Sequence, residues 1–172
     1  MTSTDVLFLQ TSRNYLTAVY LPRIEAALRV ASDADVWWRP HKGVPSVGHL
    51  LLHLAGNVRQ WVISGLGGER DVRTRAREFE PTEQPPKDEL FARLRATVLE
   101  AGEVLRRLEG SDLTARCRIQ GFDDTRVAAI YHVVEHFSWH TGQIVSIAKQ
   151  RAGAAHGIAF YDDAKINELR NE

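Results

Sequence analysis

Apolar residues recur at three- and four-residue spacing along four long stretches of this chain, a period that predicts helices. In the first, residues 5–30, Val6, Leu9, Leu16, Val19, Ile24, Ala27 and Leu28 mark one side. Pro22 lies inside it and should kink it, because an interior proline removes a backbone donor and crowds the turn before it. The second stretch covers 46–64, with Ser46 placed as N-cap just after Pro45 and Gly65, Gly67 and Gly68 as its stop. The third starts at Pro86, a residue suited to a first helical turn, carries Leu90, Leu94, Val98 and Leu105, and ends at Gly110. The fourth opens with Thr125 as N-cap and runs through Ile130, Val134, Phe137, Ile144 and Ala148 to Arg151.

Alternating strand patterns are nearly absent. Residues 115–119 and 125–127 flank Gly121-Phe-Asp-Asp124 and predict one short β-hairpin between the third and fourth helices. The tail after Gly157 reads as a loop with one helical turn. These elements predict an all-α fold, a four-helix bundle, with residues 1–172 as a single domain. The connection spanning 65–85 is longer than compact domains usually allow, and loops of that length tend to carry function.

Composition narrows the function classes. With 22 basic and 22 acidic residues the formal net charge is zero, so no overall field draws nucleic acid or an anionic membrane. No apolar run reaches the roughly 20 residues that cross a bilayer. A single cysteine, Cys117, fits a reducing compartment and an inert thiol, and the first residues lack the pattern of a signal peptide, so a cytoplasmic location is expected.

Histidines carry the candidate chemistry. His136 and His140 are four residues apart on the fourth helix, a spacing that puts both imidazoles on one face. His49 and His53 repeat that spacing on the second helix. Measured from the centre of each apolar stripe, His140 and Asn57 lie about 80° away, His136 and His53 about 120°, and His132 and His49 about 160°. Both helices therefore offer a polar stripe at the shoulder of the core, where bundles build metal sites. Three neutral imidazoles with an open position suit a reactive divalent-metal site. Phe137 follows His136, so the Glu that a metalloprotease helix places there is missing.

Val36-Trp-Trp-Arg-Pro40, His53-Leu-Ala-Gly-Asn57, Arg75-Ala-Arg-Glu-Phe79 and His136-Phe-Ser-Trp-His-Thr-Gly-Gln-Ile144 are spread over most of the chain. Together they resemble the DinB-like metalloproteins, four-helix bundles that include thiol-dependent transferases and isomerases and, more distantly, mycothiol-dependent maleylpyruvate isomerase. The resemblance implies a divalent cation, zinc or nickel, held by His53, His136 and His140 with water completing the shell, and a homodimer. It also implies a low-molecular-weight thiol as cosubstrate of a transferase or isomerase. A metal-dependent hydrolase and a non-catalytic stress-response or ligand-binding bundle are the alternatives, since a fold with a metal leaves the reaction open.

Gln143 and Asn57 are expected to support the ligands from behind. Arg75 and Arg77 are candidates to clamp the carboxylates of a peptide-like thiol. Glu69, Asp71, Glu78 and Glu80 balance the arginines of the long connection and point equally to a solvated, internally paired loop. Trp37 and Trp38 read as packing anchors.

Overall fold

The computed structural model describes residues 3–162, 165 and 166. Its first rod comprises α1 (Thr4–Asn14), a wider π-helical stretch Tyr15–Tyr20, and α2 (Leu21–Val30). Ser3 caps α1 by accepting from the Val6 amide. The disturbance expected at Pro22 takes the form of that π stretch: the Leu21 N–H reaches back to the Leu16 carbonyl, and the proline falls in the first turn of α2.

A five-residue helix that the periodicity did not show, α3 (Asp33–Trp37), follows on a capping box made by Ser32 and Asp35. Next comes α4 (Val47–Val58), capped by Ser46 as expected and prolonged by a second π stretch, Arg59–Ser64. The long connection folds a short helix of its own, α5 (Ala76–Phe79). In α6 (Lys87–Arg107) Pro86 stands one position earlier than expected, at the N-cap. Gly110, at φ 84°, then turns the chain away.

The hairpin forms with a shifted register. β1 (Arg116–Ile119) pairs antiparallel with β2 (Phe122–Thr125), Ile119 opposite Phe122 and Arg116 opposite Thr125. The turn is Gln120-Gly121, both at positive φ (55° and 84°), so Phe122, Asp123 and Asp124 belong to a strand. A two-residue hairpin turn of type I′ needs that handedness at both central positions, and Gly121 supplies it without strain. Thr125 then accepts from the Ala128 amide and starts α7 (Arg126–Ala152), which ends at Gly153 with φ 77°. Of the tail, Ile158 is buried; the expected helical turn, like the chain ends of the predicted domain, falls largely on positions 1, 2, 163, 164 and 167–172, outside the described residues.

α4 packs on α6 and α7, and α2 packs on α7, around a core that includes Leu16, Ile24, Leu54, Leu94, Leu105, Phe137 and Ile144. The architecture is all-α with one short hairpin. Phe137 anchors α7: it is fully buried and stacks on Tyr20 with ring centroids 5.8 Å apart. With Val133, Phe137 and Ile144 committed inward, His136 and His140 are left on the shoulder of α7 that meets α4. Among the described residues no helix is long and apolar enough to cross a membrane.

Because Thr125 ties the hairpin to α7, Thr125→Ala should lower stability by about 1 kcal/mol. A urea titration checks this, with the midpoint falling and the slope unchanged.

Candidate metal centre

The three imidazoles expected to meet do so. His53 Nε2 on α4 lies 3.0 Å from His136 Nε2 on α7, and His140 Nε2 lies 3.1 Å from the same atom. One ligand atom from each residue fits within 4.8 Å of the others, an arrangement that could hold a metal ion. His53 is buried and the other two are half-buried.

Their outer nitrogens explain which way the lone pairs face. His53 Nδ1 is 2.8 Å from Glu78 Oε2. Burial pushes the Glu78 carboxyl up, but hydrogen bonds from Arg73 and His53, together with the arginine's charge, outweigh it and keep the group below the usual glutamate range. An ionised carboxylate only accepts, so the proton of His53 sits on Nδ1 and its Nε2 lone pair points at His136. Arg73 Nη2 also lies 3.2 Å from that Nδ1 while donating to Glu78 Oε2 at 2.9 Å; the two nitrogens are neighbours on the same carboxylate oxygen, to which each donates. On His140, Nδ1 donates to Gln143 Oε1 at 2.6 Å, one turn along α7, which again turns Nε2 inward.

His136 can donate one Nε2 hydrogen, whereas two lone pairs face it. One of the two contacts would then set lone pair against lone pair. A cation shared by three nitrogens removes the conflict. Donors about 2.1 Å from a common ion stand roughly 3.0–3.4 Å apart, depending on its geometry. The two observed spacings of 3.0 and 3.1 Å match that range. Burial, reinforced by the neighbouring His140 and His53, lowers the pKa of His136 to about 3 and lowers that of His140, so both are neutral and able to ligate at neutral pH.

A Cβ on Gly56 would collide with the Glu78 carboxylate and approach Arg73 Nε to 3.0 Å. The absent side chain lets the Arg73–Glu78 pair rest on α4 and reach His53. Arg73 Nε bonds Glu78 Oε1 at 2.6 Å and its Nη1 bonds Gln60 Oε1 at 2.8 Å, both ion-pair partners being almost fully buried. Glu78 and Arg73 were read from the sequence only as members of a self-balancing loop, yet they form the rear support of the first ligand. The available signal was a glycine inside a helix, which costs about 1 kcal/mol unless something must approach closely.

Other expectations divide. Gln143 supports His140 as expected, whereas Asn57 contacts His132 instead, Nδ2 to Nε2 at 3.5 Å. Arg75 stacks over Phe79, 5.0 Å from the ring centroid, and Arg77 is exposed beside a separate cleft, so neither reaches the imidazoles. His132 and His49, placed by the helical wheel away from the core, are both partly or wholly covered. His132 lies with its ring 4.3 Å from Trp61 and 5.5 Å from His136. His49 is buried in the capping box with Ser46, against the edge of Trp37. The wheel assumed one covered face, but Trp37 of α3 covers His49 and Trp61 of the second rod covers His132. Trp37 is a packing anchor as expected: its indole donates to the Pro85 carbonyl at 3.0 Å and its ring fills the space a Cβ on Gly48 would need. Burial raises the pKa of Cys117, consistent with an inert thiol.

An all-α bundle in which three imidazoles from two helices converge on one point, backed by a carboxylate and an amide, defines a class of histidine-rich helical proteins. The sequence profile described as "Protein of unknown function (DUF1572)" matches residues 3–157, and the chain belongs to that family. Its fold is DinB-like. The crystal structure of a DinB-like protein from Bacillus cereus ATCC 10987 is similar over 88% of this chain and 95% of that one, with a TM-score of 0.65 at 17% sequence identity. None of the curated proteins matches.

Two outcomes follow from this geometry. The folded pKa of His136, about 3, lies below the ordinary 6.5, so on acidification the unfolded chain takes up this proton first. The metal-free protein should therefore lose stability as pH falls from about 6.5 towards 3, with the lowered Glu78 adding in the same direction; urea midpoints at pH 7 and pH 5 check the sign. Gly56→Ala should destabilise by about 1–3 kcal/mol, the reverse of the gain an exposed helical glycine would give, as read by thermal melting.

Proposed function

We propose that the protein holds one divalent cation, zinc or nickel, through His53, His136 and His140, and is a metal-dependent transferase or isomerase that uses a low-molecular-weight thiol. The observation that supports this is the meeting of three imidazole nitrogens with no carboxylate or thiolate in the group. Such a donor set leaves a divalent charge uncompensated and coordination positions free, conditions that favour an anionic ligand from outside. When bound, a divalent cation supplies a Lewis acid that lowers the pKa of a thiol or a water.

The protein's own residues do the positioning. Glu78 and Gln143 fix the tautomers of His53 and His140, and Arg73 keeps Glu78 ionised. In the transfer itself the thiol releases its proton to solvent, its sulfur bonds an electrophilic carbon of the second substrate, and the group displaced from that carbon leaves with its bonding pair and takes up a proton from solvent. In an isomerisation the sulfur adds to a carbon–carbon double bond, the resulting single bond rotates, and the sulfur leaves again as the double bond re-forms. A hydrolase would direct water to the same carbon. One observation favours a second reading, a non-catalytic ligand-binding or stress-response bundle: a cleft of about 370 Å³ borders Glu78 but includes none of the three imidazoles.

Protein purified without a histidine tag should take up one equivalent of zinc or nickel, and His136→Ala should lose that uptake, as followed by calorimetry and elemental analysis. Thiol consumption with an electrophilic acceptor should then depend on the added metal. Uptake without any metal-dependent thiol or water chemistry would transfer the assignment to the non-catalytic bundle, and no uptake would remove both enzyme readings.

A further inference from the structure

We infer that the cleft between α4, α6 and the long connection is a binding site for a small organic dianion of the dicarboxylate class. It encloses about 370 Å³, within the range of small-molecule pockets. Four arginines, Arg59, Arg73, Arg77 and Arg93, line it against two carboxylates, Asp71 and Glu78. Two of these arginines, Arg77 and Arg93, have no ion-pair partner among the described residues, and they set the number of carboxylates the ligand offers.

Those arginines are not equivalent. Arg73 is occupied by Glu78 and Gln60. Arg59 meets Glu100 at 3.2 Å in a pair more than two-fifths exposed on each side, weak enough for a ligand carboxylate to replace. Arg77 and Arg93 are exposed, and neither guanidinium makes an ion pair or hydrogen bond among the described residues. One comes from the connection and the other from α6, so two unpaired forks line a single concave space from different elements. Planar forks of this kind bind carboxylates bidentately.

The remaining wall decides between anions. Leu52, Ala55 and Val72 make part of the cleft apolar, and Val72 is 65% exposed. An inorganic oxyanion would leave that surface wet, whereas a carbon chain between two carboxylates covers it. A free diacid and the terminal carboxylates of a peptide-like thiol share this chemistry. The cleft also shares a wall with the imidazole cluster, because Glu78 lines one and bonds His53 of the other. A ligand seated there is one hydrogen-bonded pair away from the histidines. The inference stands on the arginines alone and does not require a bound cation.

Calorimetric titration of the full chain, metal-free after treatment with a neutral chelator and again after metal loading, tests it with succinate, glutathione and inorganic phosphate in low-salt buffer. Saturable one-to-one binding of succinate, of glutathione or of both is expected in either state, with phosphate weaker. Succinate alone identifies a free diacid, and glutathione alone a peptide-like thiol. The double variant Arg77→Gln/Arg93→Gln, whose changes are on the surface, should bind roughly tenfold or more weakly, and Arg107→Gln should bind as the parent does. Phosphate binding as tightly as the organic ligands, no saturable binding of either, or unchanged affinity in the double variant would overturn the inference. A metal-free protein that binds succinate but fails to take up zinc or nickel would support this site while removing the proposed metal chemistry.

Discussion

The hydrogen bond between His53 and Glu78 is the constraint around which the site is organised. It fixes one proton on the outer nitrogen of the imidazole and turns the inner lone pair towards α7. Glu78 can act this way only while ionised, although burial opposes ionisation. Arg73 tips that balance through two hydrogen bonds and its charge. The pair comes from a connection rather than a bundle helix, and Gly56 lets it come within bonding distance. A connection between bundle helices therefore determines what a helical histidine can do.

Helix period made much of the molecule legible. Alternating core and shoulder positions on α4 and α7 give the bundle, and the same arithmetic brings His53, His136 and His140 to adjoining shoulders. Caps were equally readable: Ser46 and Thr125 stand where their side chains reach amide groups three residues ahead. What the period could not show depends on contacts distant in sequence. His49 looks solvent-facing on a wheel but is buried because Trp37 and the long connection arrive from elsewhere. Glu78 lies 25 positions from His53, and no local pattern links them. The hairpin register was misread for a local reason: an Asp-Asp pair resembles a turn, but Gln120-Gly121 already meets the turn's handedness.

The arginines of the long connection divide by partner. Arg73 is locked inside a network of carboxylate and amide. Arg75 spends its charge over the Phe79 ring. Arg77 is left open on the cleft side. Their near-uniform spacing in the sequence hides three different environments, decided by the partner each one meets.

The π-helical stretch at Arg59–Ser64 has a consequence for how this rod aims its side chains. A widened turn inserts an extra residue, so positions within it depart from the angular phase of those before it. His53 and Asn57 precede the break, while Trp61, Val62 and Ile63 lie within it and are buried. The rod therefore has a regular, ligand-bearing part, Val47–Val58, and a wider end, Arg59–Ser64. That offset lets Trp61 reach the hairpin, its indole donating to Gln120 Oε1 at 3.3 Å, while His53 on the regular turns before it stays aimed at α7.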